Sequence, residues 1–191
     1  MRKERVGFAV CGSFCTHAKA LKALEALTER YETVIPIASE ISAFTDTRFG
    51  ASEDLLERLE DLTGNEVLYD IPSVEPFGPK GLLDILVIAP ATGNTIAKLA
   101  AGITDTVVTM AAKAHLRNGR PVVLAVSSND GLSAGARNIG DLLARRHYYF
   151  VPFGQDNAQE KPSSLVADFS RLPDTVDAAL RGEQIQPLLL R

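Results

Sequence analysis

Two cysteines, three histidines and no tryptophan are all that 191 residues offer in those classes. Cys11 and Cys15 stand four apart, so the chain has neither a disulfide framework nor a zinc-ligand spacing, and no metal site is expected. Positive charge is not in excess. The 20 Lys and Arg against 24 Asp and Glu leave a formal charge of −4, which argues against non-specific nucleic-acid binding. Long apolar runs are missing too. The longest, near Leu82 to Ala91, is interrupted by Asp84 and is too short to cross a bilayer. Met1 to Arg5 leads into a short apolar strand rather than a signal-peptide core. No repeat, low-complexity tract or linker divides the sequence. These absences predict a cytosolic protein with one domain over residues 1–191.

What is present is a series of apolar segments with two periods. Hydrophobic residues make up 46% and charged residues 23%, enough for a sizeable core at this length. Val6 to Cys11 reads as a buried strand, and Thr16 to Arg30 carries Ala18, Leu21, Leu24 and Leu27 at helical spacing. Thr33 to Ala38 is the next strand candidate, with Pro36 counting somewhat against it. This strand, helix, strand unit predicts a parallel sheet with right-handed crossovers. Ser52 to Leu62 is a second helix with Gly64 as its stop. Pro72, Pro76 and Pro79 make residues 65–81 a long Pro-rich loop, of the kind that serves as a lid or interface. Strands at Ile85–Ala89, Val122–Val126 and His147–Pro152 then alternate with helices at Thr95–Ala101, Val107–Leu116 and Ala134–Arg145. An amphipathic C-terminal helix is expected from about Ser164 to Arg181, with Pro173 as a potential break. The order predicts an α/β protein: a three-layer, doubly wound parallel sheet.

Leu83 to Gly102 (LDILVIAPATGNTIAKLAAG) carries the most information. A buried strand feeds a helix through an uncharged polar loop, the usual ligand position of an open α/β sheet. Its threonines, Asn94 amide and helix-start N–H groups suit a hydrogen-bond-rich neutral or anionic ligand. In a parallel sheet, Gly12-Ser13, Ser39-Glu40, Pro90 to Thr95 and Ser127 to Gly131 converge on one edge. The first of these turns has a single glycine, Gly12, and no GxGxxG fingerprint. That weighs against a Rossmann NAD site and favours a mononucleotide such as FMN. Candidate cofactor residues are therefore Gly12, Ser13, Ser39, Pro90, Ala91, Thr92, Asn94, Thr95, Ser127 and Asn129. The competing structural reading is that these hydroxyls and amides merely cap helices.

Gly12-Ser13, Ser39 and the Pro90–Thr95 loop, followed by IAKLAAGITD, resemble the flavoprotein family of flavin-dependent cysteine decarboxylases. That family's third loop reads close to P-A-S/T-A-N-T and contacts FMN. Pro90, Ala91, Thr92, Asn94 and Thr95 match it, while Gly93 replaces the usual alanine. The resemblance implies a flavodoxin-like (Rossmann-like) fold and a homo-oligomer, a trimer or a multiple of one, with flavin at an interface between copies. Thr45 to Gly50, Ala112 to Ala114, Leu116 to Val123, Ser128 to Gly131 and Val151 to Asp156 resemble one branch of the family. That branch is a B subunit that helps form pyridine-2,6-dicarboxylate (dipicolinate) from a dihydro- or hydroxytetrahydro-dipicolinate precursor. The resemblance implies a partner A subunit similar to NAD(P) dehydrogenases, and a role in the mother-cell cytosol of a sporulating bacterium.

The chain departs from the decarboxylases at two loops. They carry a catalytic histidine where this chain has Thr45 to Gly50, and a methionine-containing substrate loop where it has Ser127 to Gly131. A cysteine decarboxylase reaction is therefore not expected. Two alternatives remain beside the dipicolinate reading: a stand-alone FMN-dependent decarboxylase or oxidoreductase, and a scaffold subunit that has lost flavin.

Asn94 and Arg48 are the candidate catalytic residues. Asn94 can both donate and accept where family members hold flavin and a substrate carboxylate. A planar dicarboxylate is best held by a bidentate guanidinium, and Arg48 offers one beside the second strand's end. The competing reading for Arg48 is a surface ion pair with Asp46 or another nearby acid. Lys113, Arg117 and Arg120 read as solvated helix-end charges. His17 reads as a structural residue at a helix start, Cys11 as core, and Cys15 as a small residue near the cofactor edge.

Overall fold

The computed structural model describes residues 1–190. It begins with β1 (Arg2–Val10), a short 3-10 turn at Phe14–Thr16, and α1 (His17–Arg30). Next come β2 (Tyr31–Ala38), α2 (Glu40–Phe44), α3 (Ser52–Thr63), and two single turns, α4 (Ile71–Val74) and α5 (Phe77–Lys80). The middle contains β3 (Ile85–Ala91), α6 (Gly93–Ala101), α7 (Val107–Leu116), β4 (Val122–Ser128) and α8 (Ala136–Leu143). The chain closes with β5 (Tyr148–Phe150), β6 (Phe153–Asn157), β7 (Lys161–Ala167) and α9 (Leu172–Leu180).

Five strands pair in parallel in the order β2-β1-β3-β4-β5, as the alternation of strands and helices requires. Strand order reverses between β1 and β3. A crevice forms at that switch point, outside the strands' C-terminal ends. β3 and β4 are buried at every residue, which explains why they read as unbroken apolar runs rather than alternating ones. Helices cover both faces. α1 turns Ala20, Ala23, Leu24 and Leu27 inward, the stripe expected of a helix lying on a sheet. Pro36 lies on β2, the outermost strand, where its missing N–H breaks no ladder. The free edge there is closed by Leu68, which exchanges backbone hydrogen bonds with Pro36 and Ala38 at 3.0 and 2.9 Å.

Four expectations change. The predicted helix from Ser164 is a strand in its first part, and helix α9 begins only at Leu172. Ser164 to Ala167 belong to an antiparallel hairpin, β6–β7, whose second strand also pairs Val166 and Leu165 with Ser127 and Ser128 at the tip of β4. Pro173 does not break the helix; it sits in the first turn, where an N–H would have no partner anyway. His147–Pro152 is consequently not the last strand, and only Tyr148–Phe150 of it pairs. The Pro-rich segment 65–81 holds two helical turns, buries Val74 and Phe77, and presses Gly78 against the Ala114 carbonyl of α7. A Cβ on Gly78 would stand 3.0 Å from that oxygen, and the Asn118 amide donates to the Gly78 carbonyl at 2.8 Å. The segment is packed inward rather than poised as a lid.

Candidate functional site

Four loops meet at the C-terminal edge of the sheet, and hydroxyl groups tie those after β1 and β4 together. The Ser13 and Ser127 hydroxyls lie 2.7 Å apart, bridging the ends of β1 and β4 across β3. Thr16 joins this pair at 3.3 Å and also donates to the Ser13 carbonyl. At the head of α6 the Thr92 side chain accepts from the Thr95 N–H at 3.2 Å, a regular N-cap. Ser39 caps α2 through the Ser42 N–H and its hydroxyl. Capping thus accounts for Thr92 and Ser39, but not for Ser13, Ser127, Asn94 or Asn129.

The loops enclose two adjoining cavities that share Gly12, Thr92 and Asn94. The larger, about 690 Å3, also receives Ser13, Arg48, Ser127 and Asn129. The second, about 630 Å3, receives Ser39 and Thr95, with Cys11 at its base and Lys98 on its wall. Of the candidate cofactor and catalytic residues, only Pro90 and Ala91 line neither. They are buried in β3 and shape the loop from below. Thr95 is turned inward, its hydroxyl donating to the Cys11 sulfur at 3.3 Å. The Asn94 and Asn129 side chains carry no hydrogen bond among the described residues and remain available to a ligand.

Gly93, where the family uses alanine, has a local cause. A Cβ there would stand 2.6 Å from Asp130 Oδ1 and 2.7 Å from Ser128 Oγ. Ser128 donates to the Asp130 carboxylate, so the β4 loop folds down onto the head of α6 and needs a glycine beneath it.

One wall of the larger cavity is built by the β6–β7 hairpin, through Asp156, Lys161, Ser164 and Val166. These residues, with Thr16 and Lys19, were not among the candidates read from the sequence. The available signal was Asn157, whose side-chain oxygen accepts from the N–H groups of Gln159 and Glu160, a turn marker between two strands.

Charge in the larger cavity is mixed. Lys161 pairs with Asp156 at 2.9 Å, which holds the ammonium pKa above its ordinary value. Arg48 has no carboxylate partner among the described residues; its guanidinium lies over its neighbour Phe49, 4.9 Å from the ring centre. Asp46, the suggested ion-pair partner, instead caps α3 by accepting from the Ser52 N–H and hydroxyl, and these bonds lower its pKa. Arg120 is structural: it bridges Asp84 at 3.2 Å and donates to the Gly81 carbonyl. His17 is held by its Nε2, 2.8 Å from the Cys11 carbonyl, and burial lowers its pKa. Burial also pushes the Cys11 thiol up to about 11, so it is no nucleophile at neutral pH. Cys15 is exposed and lines the larger cavity.

A phosphate-bearing planar cofactor fits this donor set. The pair of cavities is of ligand size, uncharged at Gly12, Ser13, Thr92 and Asn94, and supplied with unpaired amides. Gly12 leaves the turn after β1 without a side chain, where a Cβ would stand 2.9 Å from the Ile41 side chain.

The Flavoprotein family's sequence profile matches residues 1–149, and the chain belongs to that family. Within it, the chain is 43% identical to the B subunit of dipicolinate synthase from Bacillus subtilis (strain 168) over 190 residues, covering all of this chain and 95% of that one. The crystal structure of the same B subunit from Bacillus halodurans superimposes with a TM-score of 0.90 at 46% identity, covering 98% of this chain and 96% of the other. The FMN-dependent cysteine decarboxylase SpaF superimposes at 0.65 with 25% identity, covering 92% and 97%.

Proposed function

We propose that this chain is the flavoprotein-like component of a two-subunit oxidoreductase that forms dipicolinate from a dihydrodipicolinate-type precursor. The observation that carries the reading is end-to-end identity of 43% and 46% with two chains named as the B subunit of dipicolinate synthase. The cleft agrees with it. Arg48 is an exposed, unpaired guanidinium on the rim of the larger cavity, as a dicarboxylate substrate requires. The partner is the A subunit of dipicolinate synthase, the NAD(P)-dehydrogenase-like chain that the resemblance implies. The setting is the mother-cell cytosol, and no helix among the described residues is long and apolar enough to cross a membrane.

FMN is the cofactor we assign to the paired cavities; when bound it supplies two-electron redox chemistry. The residues divide the work of binding. The Ser13 and Ser39 hydroxyls, with the Gly12 N–H, hold the phosphate end. Thr92 and the Asn94 amide meet polar edges of the planar ring, and Asn129 closes the cavity from the β4 side. Arg48 orients one substrate carboxylate through a paired hydrogen bond. Lys161 is largely neutralised by Asp156 and tunes the far wall. Within this reading the chain forms a homo-oligomer. Exposed Ile41, Phe44 and Tyr69 near the second cavity give it an apolar face, with the Phe44 and Tyr69 rings packed edge to face at 5.4 Å.

The test is an absorbance spectrum of the purified protein with acid release of bound ligand, followed by assay with and without the A subunit. Flavin release and dipicolinate formation only with both chains support the reading. A yellow protein that turns over alone would establish the stand-alone enzyme. A colourless one that still activates its partner chain would establish the scaffold.

A further inference from the structure

On a different part of the surface lies a second concavity of about 480 Å3, between the C-terminal ends of α6, α7 and α8. It shares no residue with the cleft. Its floor is apolar, formed by Leu99, Leu116, Tyr148 and Ile103, the last 47% exposed. Its rim carries Lys113, Arg117, Arg146 and His147, and no carboxylate lines it.

Three observations set this groove apart from an ordinary solvated face. First, acids outnumber bases in the chain, yet Lys113, Arg117 and Arg146 have no ion-pair partner among the described residues. Like charges gathered without counter-charges repel one another, and a bound anion would relieve that repulsion. Second, the neighbouring Arg145 is already committed: it donates to the Leu99 and Ala100 carbonyls at 3.2 and 2.6 Å, closing the end of α6. That bond fixes the wall from which Arg146 projects. Third, His147 is the one non-glycine residue with positive φ, at 71°, among the described residues. Its carbonyl accepts from the Val122 N–H at 2.7 Å, so the sheet itself holds this strained residue at the groove.

We propose that this groove docks an acidic, apolar-tipped segment of the partner chain in the two-subunit enzyme. The inference rests on the two-subunit reading and adds where the partner is held. Charge complementarity selects acidic side chains, and the apolar floor selects a Leu, Ile or Phe among them. The chain's net charge of −4 and the compactness of the cluster disfavour a nucleic acid, which needs an extended basic stripe. Because the groove and the cleft have no residue in common, docking here leaves the cleft open to substrate.

The experiment is titration calorimetry of the purified A subunit into this protein at low and high salt. The variants are Arg117→Glu/Arg146→Glu, Ile103→Ser, and a matched control, Lys22→Glu/Arg58→Glu, away from the groove. The double groove reversal is expected to weaken binding about thirtyfold and to flatten its salt dependence. Ile103→Ser is expected to weaken it about fivefold, and the control less than twofold. All the altered side chains are exposed, and a thermal melt verifies folding. Wild-type affinity in the groove reversal overturns the docking site while leaving the two-subunit reading intact. Failure of the unaltered protein to bind the A subunit overturns that reading and this inference with it. Light scattering adds one further decisive outcome: if the groove reversal instead dissociates the homo-oligomer, the occupant is a second copy and the inference is wrong.

Discussion

Gly93 lies directly beneath Asp130, so close that a Cβ on the glycine would stand 2.6 Å from the carboxylate oxygen. The head of α6 and the tip of β4 therefore constrain each other. Gly93→Ala pushes against the ends of two side chains rather than backbone, so the fold survives with a loss of about 1–2 kcal/mol. The Ser128–Asp130 contact opens, and ligand binding in the larger cavity weakens. Denaturant melts paired with FMN titration separate the two effects; unchanged ligand affinity would show that the loop contact does not shape the cavity.

Asn94 has an exposed amide with no hydrogen-bond partner among the described residues, at the junction of both cavities. Asn94→Ala is expected to cost about tenfold in FMN affinity, read by quenching of flavin fluorescence, with no shift in melting temperature. A destabilised protein with normal FMN affinity would make Asn94 a structural residue.

Arg48 is expected to act on substrate, not on flavin. Arg48→Lys keeps the charge and loses the planar fork, so the apparent Michaelis constant rises about tenfold while FMN affinity is unchanged. Arg48→Ala is worse. Wild-type kinetics for Arg48→Lys in the reconstituted two-subunit assay would remove Arg48 from the site.

His115 gives a pH dependence that is independent of catalysis. It is fully buried, its Nε2 donates to the Pro121 carbonyl at 3.0 Å, and its Nδ1 has no partner among the described residues. Protonation would place an N–H where nothing accepts it, and burial lowers the pKa from 6.5 to about 4. The folded value lies below the unfolded one. Stability is therefore complete above about pH 6.5 and is lost as pH falls toward 4, by at most about 3 kcal/mol. His115→Gln keeps the donor and removes the titration. Urea melts at pH 7 and 4.5 should show a smaller difference for this variant than for the parent protein.

The parallel core and the four loops at its edge were readable because each depends on local signals. β3 and β4 are apolar runs ended by polar caps, and Thr92 and Ser39 stand where N-caps belong. The hairpin was not readable in the same way. Its pairing is broken by a bulge between Gln155 and Asn157, and β7 gains its second partner only from Ser127 and Ser128, far away in sequence. Ser164 to Ala167 run into a real helix, and their apolar residues fit a helical period as well as a strand's. Lys19 carries no signal in the sequence for a different reason. Nothing local distinguishes a lysine that rims a cavity from one on an open helix face.

The hairpin adds a consequence of its own. The Flavoprotein profile matches residues 1–149, and β6 and β7 lie beyond that match. The cleft is thus assembled from two stretches of chain: a floor within the residues that the family profile matches, and a wall beyond them hung from two residues of β4. Exchanging residues 153–167 between relatives would change which molecule is admitted while leaving the floor alone. In this architecture chemistry and selectivity can diverge separately, each on its own stretch of chain.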